Sequence, residues 1–149
     1  MKLFFKVIIK RPDNNPAGKM KNFSYIVEAM NYSEAERDAY KIAEIEEFNN
    51  KDFSIEKITK LDVTNVYKRD YNEEHEDNFY CQTKCASVGI DERTGKEVVF
   101  DNFNYLVLTS EFLSVVTFLE DLHNELDIRI CSQKRTNIYS VYFSETLNP

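Results

Sequence analysis

Tryptophan is absent from this chain, and glycine, proline and cysteine occur only three times each in its 149 residues. So few glycines cannot supply the backbone cradle of a phosphate-binding loop. Scarce glycine and proline together predict short loops and a large share of regular structure. No run approaches the ~20 apolar residues that a membrane helix needs. The two histidines, His75 and His123, lie close to no credible nucleophile in sequence. Paired carboxylates occur at Glu73-Glu74 and Asp91-Glu92, in an expected linker and an expected turn where a solvated role is the default. The chain therefore reads as a non-enzyme with no cofactor and no metal. Its abundance of Asn, Lys, Glu, Ile, Tyr and Phe is the usage of an AT-rich genome.

What is present is an internal repetition, with residues 2–67 and 78–142 aligning over small gaps. Phe23-Ser-Tyr-Ile-Val27 matches Phe103-Asn-Tyr-Leu-Val107, Gly18-Lys19 matches Gly95-Lys96, and Asn65-Val66-Tyr67 matches Ser140-Val141-Tyr142. Such a duplication fixes the architecture before any site is considered. Each copy reads as strand, strand, helix, strand. Leu3–Lys10 and Lys21–Ala29 alternate as strands around the turn-rich stretch 11–18. Ser33-Glu-Ala-Glu36 has the form of a capping box and predicts a helix running to about Asn49-Asn50. Residues 53–67 then read as extended, bulged near Lys57 where the alternation slips.

In the second copy, strands are expected at 79–87 and 98–108, around the turn Asp91–Gly95. A helix capped by Ser110 should follow to about Glu125, and then an extended stretch from Ile128 to Phe143. The second helix is apolar nearly all round, which predicts burial on more than one side, under a second layer or at a dimer interface. The fold class expected is α+β: a tandem duplication of a β-β-α-β unit, with antiparallel sheets, one helix per repeat and pseudo-twofold symmetry. Residues 1–149 should form a single compact domain of two repeats, 2–67 and 78–143, joined by a polar linker at 68–77.

The three cysteines invite a metal reading, but Cys81 and Cys85 lack the two-residue gap of zinc knuckles. The repeat alignment sets them against Phe5 and Ile9 on a core face, where cysteine packs as a small hydrophobe. The opening residues mimic a signal peptide, yet Lys6 interrupts the apolar run and no small-residue cleavage site follows. A cytoplasmic location without membrane association is the expectation.

The net charge is −7, unevenly spread. Residues 1–70 hold 13 Lys and Arg against 12 Asp and Glu, whereas residues 71–149 hold 6 against 14. Aromatic and basic residues alternate on the expected strands. Phe4, Phe23, Tyr25, Tyr80, Phe103 and Tyr105 are candidate stacking rings. Lys6, Lys10, Lys21, Lys57, Lys60 and Lys84 are candidate phosphate contacts. Rings that stack on bases, with cations that follow the backbone, are what single-stranded DNA or RNA requires. Two ordinary uses compete: aromatics favour strands anyway, and lysines protect sheet edges. Rings covered by the helices would remove the physical basis of the single-strand reading. The alternative is an acidic protein–protein adaptor, or an inhibitor of a host enzyme, whose second half is steered to a basic partner. Homo-oligomerisation is open.

With strand–turn–strand, Tyr-x-Val before a capped helix and a terminal strand ending Val-Tyr, the chain resembles a small family. These are the uncharacterised two-repeat proteins of Bacteroides-type bacteria and their crAss-like phages. The resemblance spans about residues 2–143 and brings no catalytic residues. It implies a phage-related setting in which replication and host-takeover proteins are frequent. By architecture alone the layout is similar to the single-strand binders of the transcriptional-coactivator and Whirly type. Those have four strands before each helix, and fold does not imply function.

Overall fold

The computed structural model describes residues 3–13, 18–68 and 78–149. His75, Glu73-Glu74 and most of the expected 68–77 linker lie outside the described residues. Within them the protein is α+β, with two four-stranded, mostly antiparallel sheets.

Alternation builds the first hairpin. Strands β1 (Phe4–Pro12) and β2 (Met20–Glu28) are antiparallel, with Val7 opposite Tyr25. Phe5, Val7, Ile9, Tyr25 and Val27 fall on one face. Helix α1 (Tyr32–Ile45) covers them with Ala35, Ala39, Ile42 and Ala43. Strand β3 (Ser54–Lys60) joins the free edge of β1. Ile8 faces Lys57 but Ile9 faces Ile55, so Glu56 is the extra residue of the bulge expected near Lys57.

The strand expected to continue to Tyr67 stops at Lys60. Strand β4 (Asn65–Tyr67) pairs in the other sheet, parallel to β6 (Glu97–Thr109). That sheet is built like the first. β5 (Phe79–Ile90) and β6 form a long hairpin, closed by a turn in which Gly95 takes φ 69°, a left-handed conformation suited to glycine. Helix α2 (Phe112–Leu122) packs on Cys81, Cys85, Tyr105 and Val107 with Val115 and Leu119. Strand β7 (Asp127–Arg135) lines the other edge of β5, and its register skips Cys131 between Ser132 and Ile130, as β3 skips Glu56. Strand β8 (Ile138–Tyr142) then adds parallel to β2 in the first sheet, and the short α3 (Ser144–Leu147) follows.

The two sheets share one order, β3-β1-β2-β8 and β7-β5-β6-β4. In each, the fourth strand comes from the other sequence copy. Residues 53–67 and 128–143 are thus each two strands, interrupted at equivalent points. The Leu61 N–H bonds the Phe4 carbonyl at 2.9 Å, and the Thr136 N–H bonds the Tyr80 carbonyl at 3.0 Å. By packing, the chain divides into two compact units, residues 1–62 with 138–149, and 63–137. These boundaries fall at the strand exchange rather than at the repeat boundary.

Both helix starts differ from expectation. α1 is capped by Asn31, whose Oδ1 accepts the Glu34 N–H at 2.8 Å. Asparagine caps as well as serine, and the earlier start puts Ser33 inside the first turn. α2 is preceded by Glu111, whose side chain makes no capping bond to the backbone but accepts the Ser114 hydroxyl at 2.8 Å. The helix ends by Leu122, with the His123 N–H bonded to the Leu119 carbonyl at 3.0 Å.

Candidate functional site

The stacking rings do not form an open face. Tyr25 is 0% exposed and Tyr105 is 3% exposed, each packed beneath its helix, with Phe23 and Phe103 half-buried beside them. Phe4 and Tyr80, on the opposite faces of their sheets, are buried as well, together with Ile26, Leu106 and Val141. A base can stack only on an accessible ring, so these six residues supply a core rather than a platform.

The lysines separate in the same way. Lys6, Lys10 and Lys57 share one face of the first sheet, as their pairing with Thr59, Asn22 and Ile8 requires. Lys21 lies opposite Arg11 on the helix-side face and is tied to Asp13 at 2.8 Å. Lys60 sits opposite Phe5 at the β3 edge, and Lys84 belongs to the second unit.

Cys81 and Cys85 are buried on the core face, and Cys131 is exposed at its bulge. Burial pushes the Cys85 thiol up to about 11, which disfavours the reactive thiolate. Among the described residues no group of His, Cys, Asp and Glu is placed to hold a metal ion.

The alternation of β1 continues one residue further than sequence reading took it, and brings Arg11 to the core face. Its guanidinium is almost fully buried and lies 3.8 Å from the centroid of Phe23. Nε donates to the Tyr25 hydroxyl at 3.0 Å, Nη1 donates to the Pro12 carbonyl at 3.0 Å, and Nη2 is 3.5 Å from Glu46 Oε1. Glu46, at the end of α1, also accepts the Tyr25 hydroxyl at 2.7 Å and the Tyr142 hydroxyl from β8. Burial opposes charge on Arg11, but the bond to Tyr25 and the attraction of Glu46 outweigh it and raise its pKa. Burial, then the bond to Glu46, raises the pKa of Tyr25 and of Tyr142. Arg11, Glu46, Tyr139 and Ser140 line an open cleft of about 520 Å³.

In the second unit the matching tyrosine, Tyr105, meets His123 Nε2 at 2.8 Å, with Phe103 against the same imidazole. Sequence reading missed Arg11, Glu46 and Tyr142 because their partners are remote in the chain. The odd-numbered run Phe5, Val7, Ile9, Arg11 was the one signal that could have placed Arg11.

Exposed apolar side chains occur in both units, and in the second they gather on α2 and β6. On α2, Leu113 is 71% exposed, and Thr117, Glu120 and Asp121 follow it along the same helix face, all exposed. Leu122 and Leu126 are exposed near the helix end, with Glu125 between them. No described helix is long and apolar enough to cross a membrane.

A family model described as Domain of unknown function (DUF4494) matches residues 3–144. No curated protein and no solved structure matches the chain.

Proposed function

This chain belongs to the DUF4494 family, and we propose that it is a non-enzymatic docking protein whose acidic second unit engages a basic protein partner. The observation that carries this reading is the outer face of α2, where exposed Leu113 stands in line with Glu120 and Asp121. An apolar anchor set among acids that have no ion pair among the described residues suits a partner that brings a hydrophobic pocket rimmed by Lys or Arg. Residues 63–137 carry 8 Lys and Arg against 14 Asp and Glu, so the unit as a whole steers in the same direction. The Arg11 cluster supports a non-catalytic role. Its tyrosines and its arginine move away from neutral pH, which suits holding a structure rather than transferring protons. In the phage-related setting that the resemblance implies, the partner is a host or phage protein met in the cytoplasm.

The test compares immobilised wild-type protein, a triple variant (Leu113→Lys, Glu120→Lys, Asp121→Lys) and a control variant (Lys57→Glu), each incubated with host lysate and quantified by mass spectrometry. A basic protein retained by wild type and control but lost by the triple variant supports the reading. Equal capture by all three overturns it. A labelled single strand of ~20 nucleotides is titrated alongside, and steeply salt-dependent binding to it would restore the nucleic-acid reading through Lys6, Lys10 and Lys57.

A further inference from the structure

Each sheet is completed by a strand supplied from a distant part of the chain, added parallel to the second strand of its hairpin. In both units this addition covers only part of the strand, and in the second it covers least. Strand β6 spans Glu97–Thr109, yet β4 pairs with Tyr105–Val107 alone. One further pair of bonds follows. The Thr64 N–H donates to the Asn104 carbonyl at 2.7 Å, and the Asn104 N–H donates to Thr64 Oγ1 at 2.9 Å. Before Val63 the chain belongs to the first unit, where Leu61 is bonded to Phe4. The slot beside residues 97–103 is therefore left without a strand among the described residues.

That edge is accessible and apolar. Phe100 is 64% exposed, and Val99, Asp101 and Asn102 are exposed with it. Residues 97–99 and 101–109 pair with β5, and Phe100 between them is the extra residue of a bulge. The Phe100 ring lies so close over Gly89 that a Cβ there would come within 2.3 Å of it. The corresponding stretch of the first unit is different. Before β2 begins its pairing with β8 at Ser24, it reads Lys19-Met-Lys-Asn22, and charge of that kind discourages strand addition. Val98-Val-Phe100 carries no charge of its own, and the charges that flank it, Glu97 and Asp101, are acidic rather than lysines.

We propose that the free edge of β6 is a strand-addition site, taking an extended segment of a basic partner protein in line with β4. Backbone pairing supplies the recognition, as in other cases of sheet augmentation. Val99 and Phe100 supply apolar contact. Asp101, exposed and without an ion pair among the described residues, favours a segment in which Lys or Arg alternates with apolar residues. The inference rests on the docking reading above and gives it a second, separate point of contact.

The experiment uses the full chain and a labelled peptide of alternating Lys and Val. Affinity is followed by anisotropy, and backbone amides by hydrogen exchange. Slowed exchange across 98–102, with binding at least about tenfold weaker for the double variant Val99→Lys, Phe100→Lys, is the expected result. Circular dichroism of that variant should be unchanged. Binding that protects α2 instead overturns the edge site while leaving the docking reading intact. Absence of peptide binding also overturns the edge site, and the α2 variants then judge the docking reading alone. Protein that pairs with itself through 98–102 in sedimentation, without taking up peptide, would mean that the edge serves a second copy of this chain.

Discussion

Asp38 of α1 is fully buried, and among the described residues neither carboxylate oxygen meets a partner at hydrogen-bond geometry. Burial raises its pKa, and Lys41, Arg37 and the nearby Asn148 side chain oppose that rise only in part. A carboxyl group whose folded pKa lies above its unfolded value takes up a proton on folding. Its stabilisation is complete below the unfolded pKa and is lost as pH rises through the folded one. Asp38→Asn should therefore raise stability at pH 7 by about 1–2 kcal/mol and should flatten its change as pH falls from 7 towards the unfolded carboxylate pKa of about 4. Urea unfolding at pH 7 and at about pH 4 measures this, and a destabilised variant at pH 7 would mean that the charge is paired after all. Arg11 has the opposite character, since its charge is held by the Tyr25 hydroxyl, the Pro12 carbonyl and Glu46. Arg11→Ala should cost about 3 kcal/mol, because Glu46 is left with two tyrosine hydroxyls and no cation. At this scale the sequence revealed residues whose role is local. Cys81 and Cys85 were readable as core because their repeat partners are Phe5 and Ile9. Arg11 was not, because Glu46 and Tyr142 lie far along the chain and no spacing rule connects them.

Among elements, the hairpins and the bulge were legible because each is set by residues within a few positions of one another. The alternation of Phe5, Val7 and Ile9 marked β1, and the slip at Lys57 marked the extra residue Glu56. Helix ends were less so, because Asn31 and Ser33 are both good caps and only the buried positions of the helix decide between them. Asn31→Ala should cost about 1 kcal/mol in thermal or urea unfolding, whereas Ser33→Ala should be close to neutral. The other end of α1 offers an improvement. Glu47 sits at φ 61°, a left-handed conformation that side chains other than glycine tolerate poorly, and it follows the last helical carbonyls directly. Glu47→Gly should stabilise by about 0.5–1 kcal/mol. Loss of stability there would show that the Glu47 side chain holds something its backbone does not.

For the whole molecule, the decisive feature is the exchange of β4 and β8, and it has no signature in periodicity. Residues 65–67 and 138–142 alternate as any strand does, whichever sheet receives them. The repeat alignment even points the wrong way, since it suggests that each copy closes its own sheet. Once the pairing is known, the consequence for folding is strong. A segment ending before Glu73 would hold β1, β2, β3 and α1 but would lack β8, whose Tyr142 completes the Glu46 cluster and whose Val141 is buried. The remaining segment would lack β4, leaving Tyr105 without Tyr67 and β6 without its parallel neighbour. Cutting the chain between Asn72 and Glu73 should therefore give two pieces that are poorly folded apart and that recover native structure as a one-to-one complex when mixed. Far-UV circular dichroism and size exclusion of each piece and of the mixture measure this. If each sheet closed within its own copy, each piece would unfold cooperatively by itself and mixing would change nothing. Recovery only on mixing would also give the second sequence copy a structural use, because each copy supplies the strand that the other lacks.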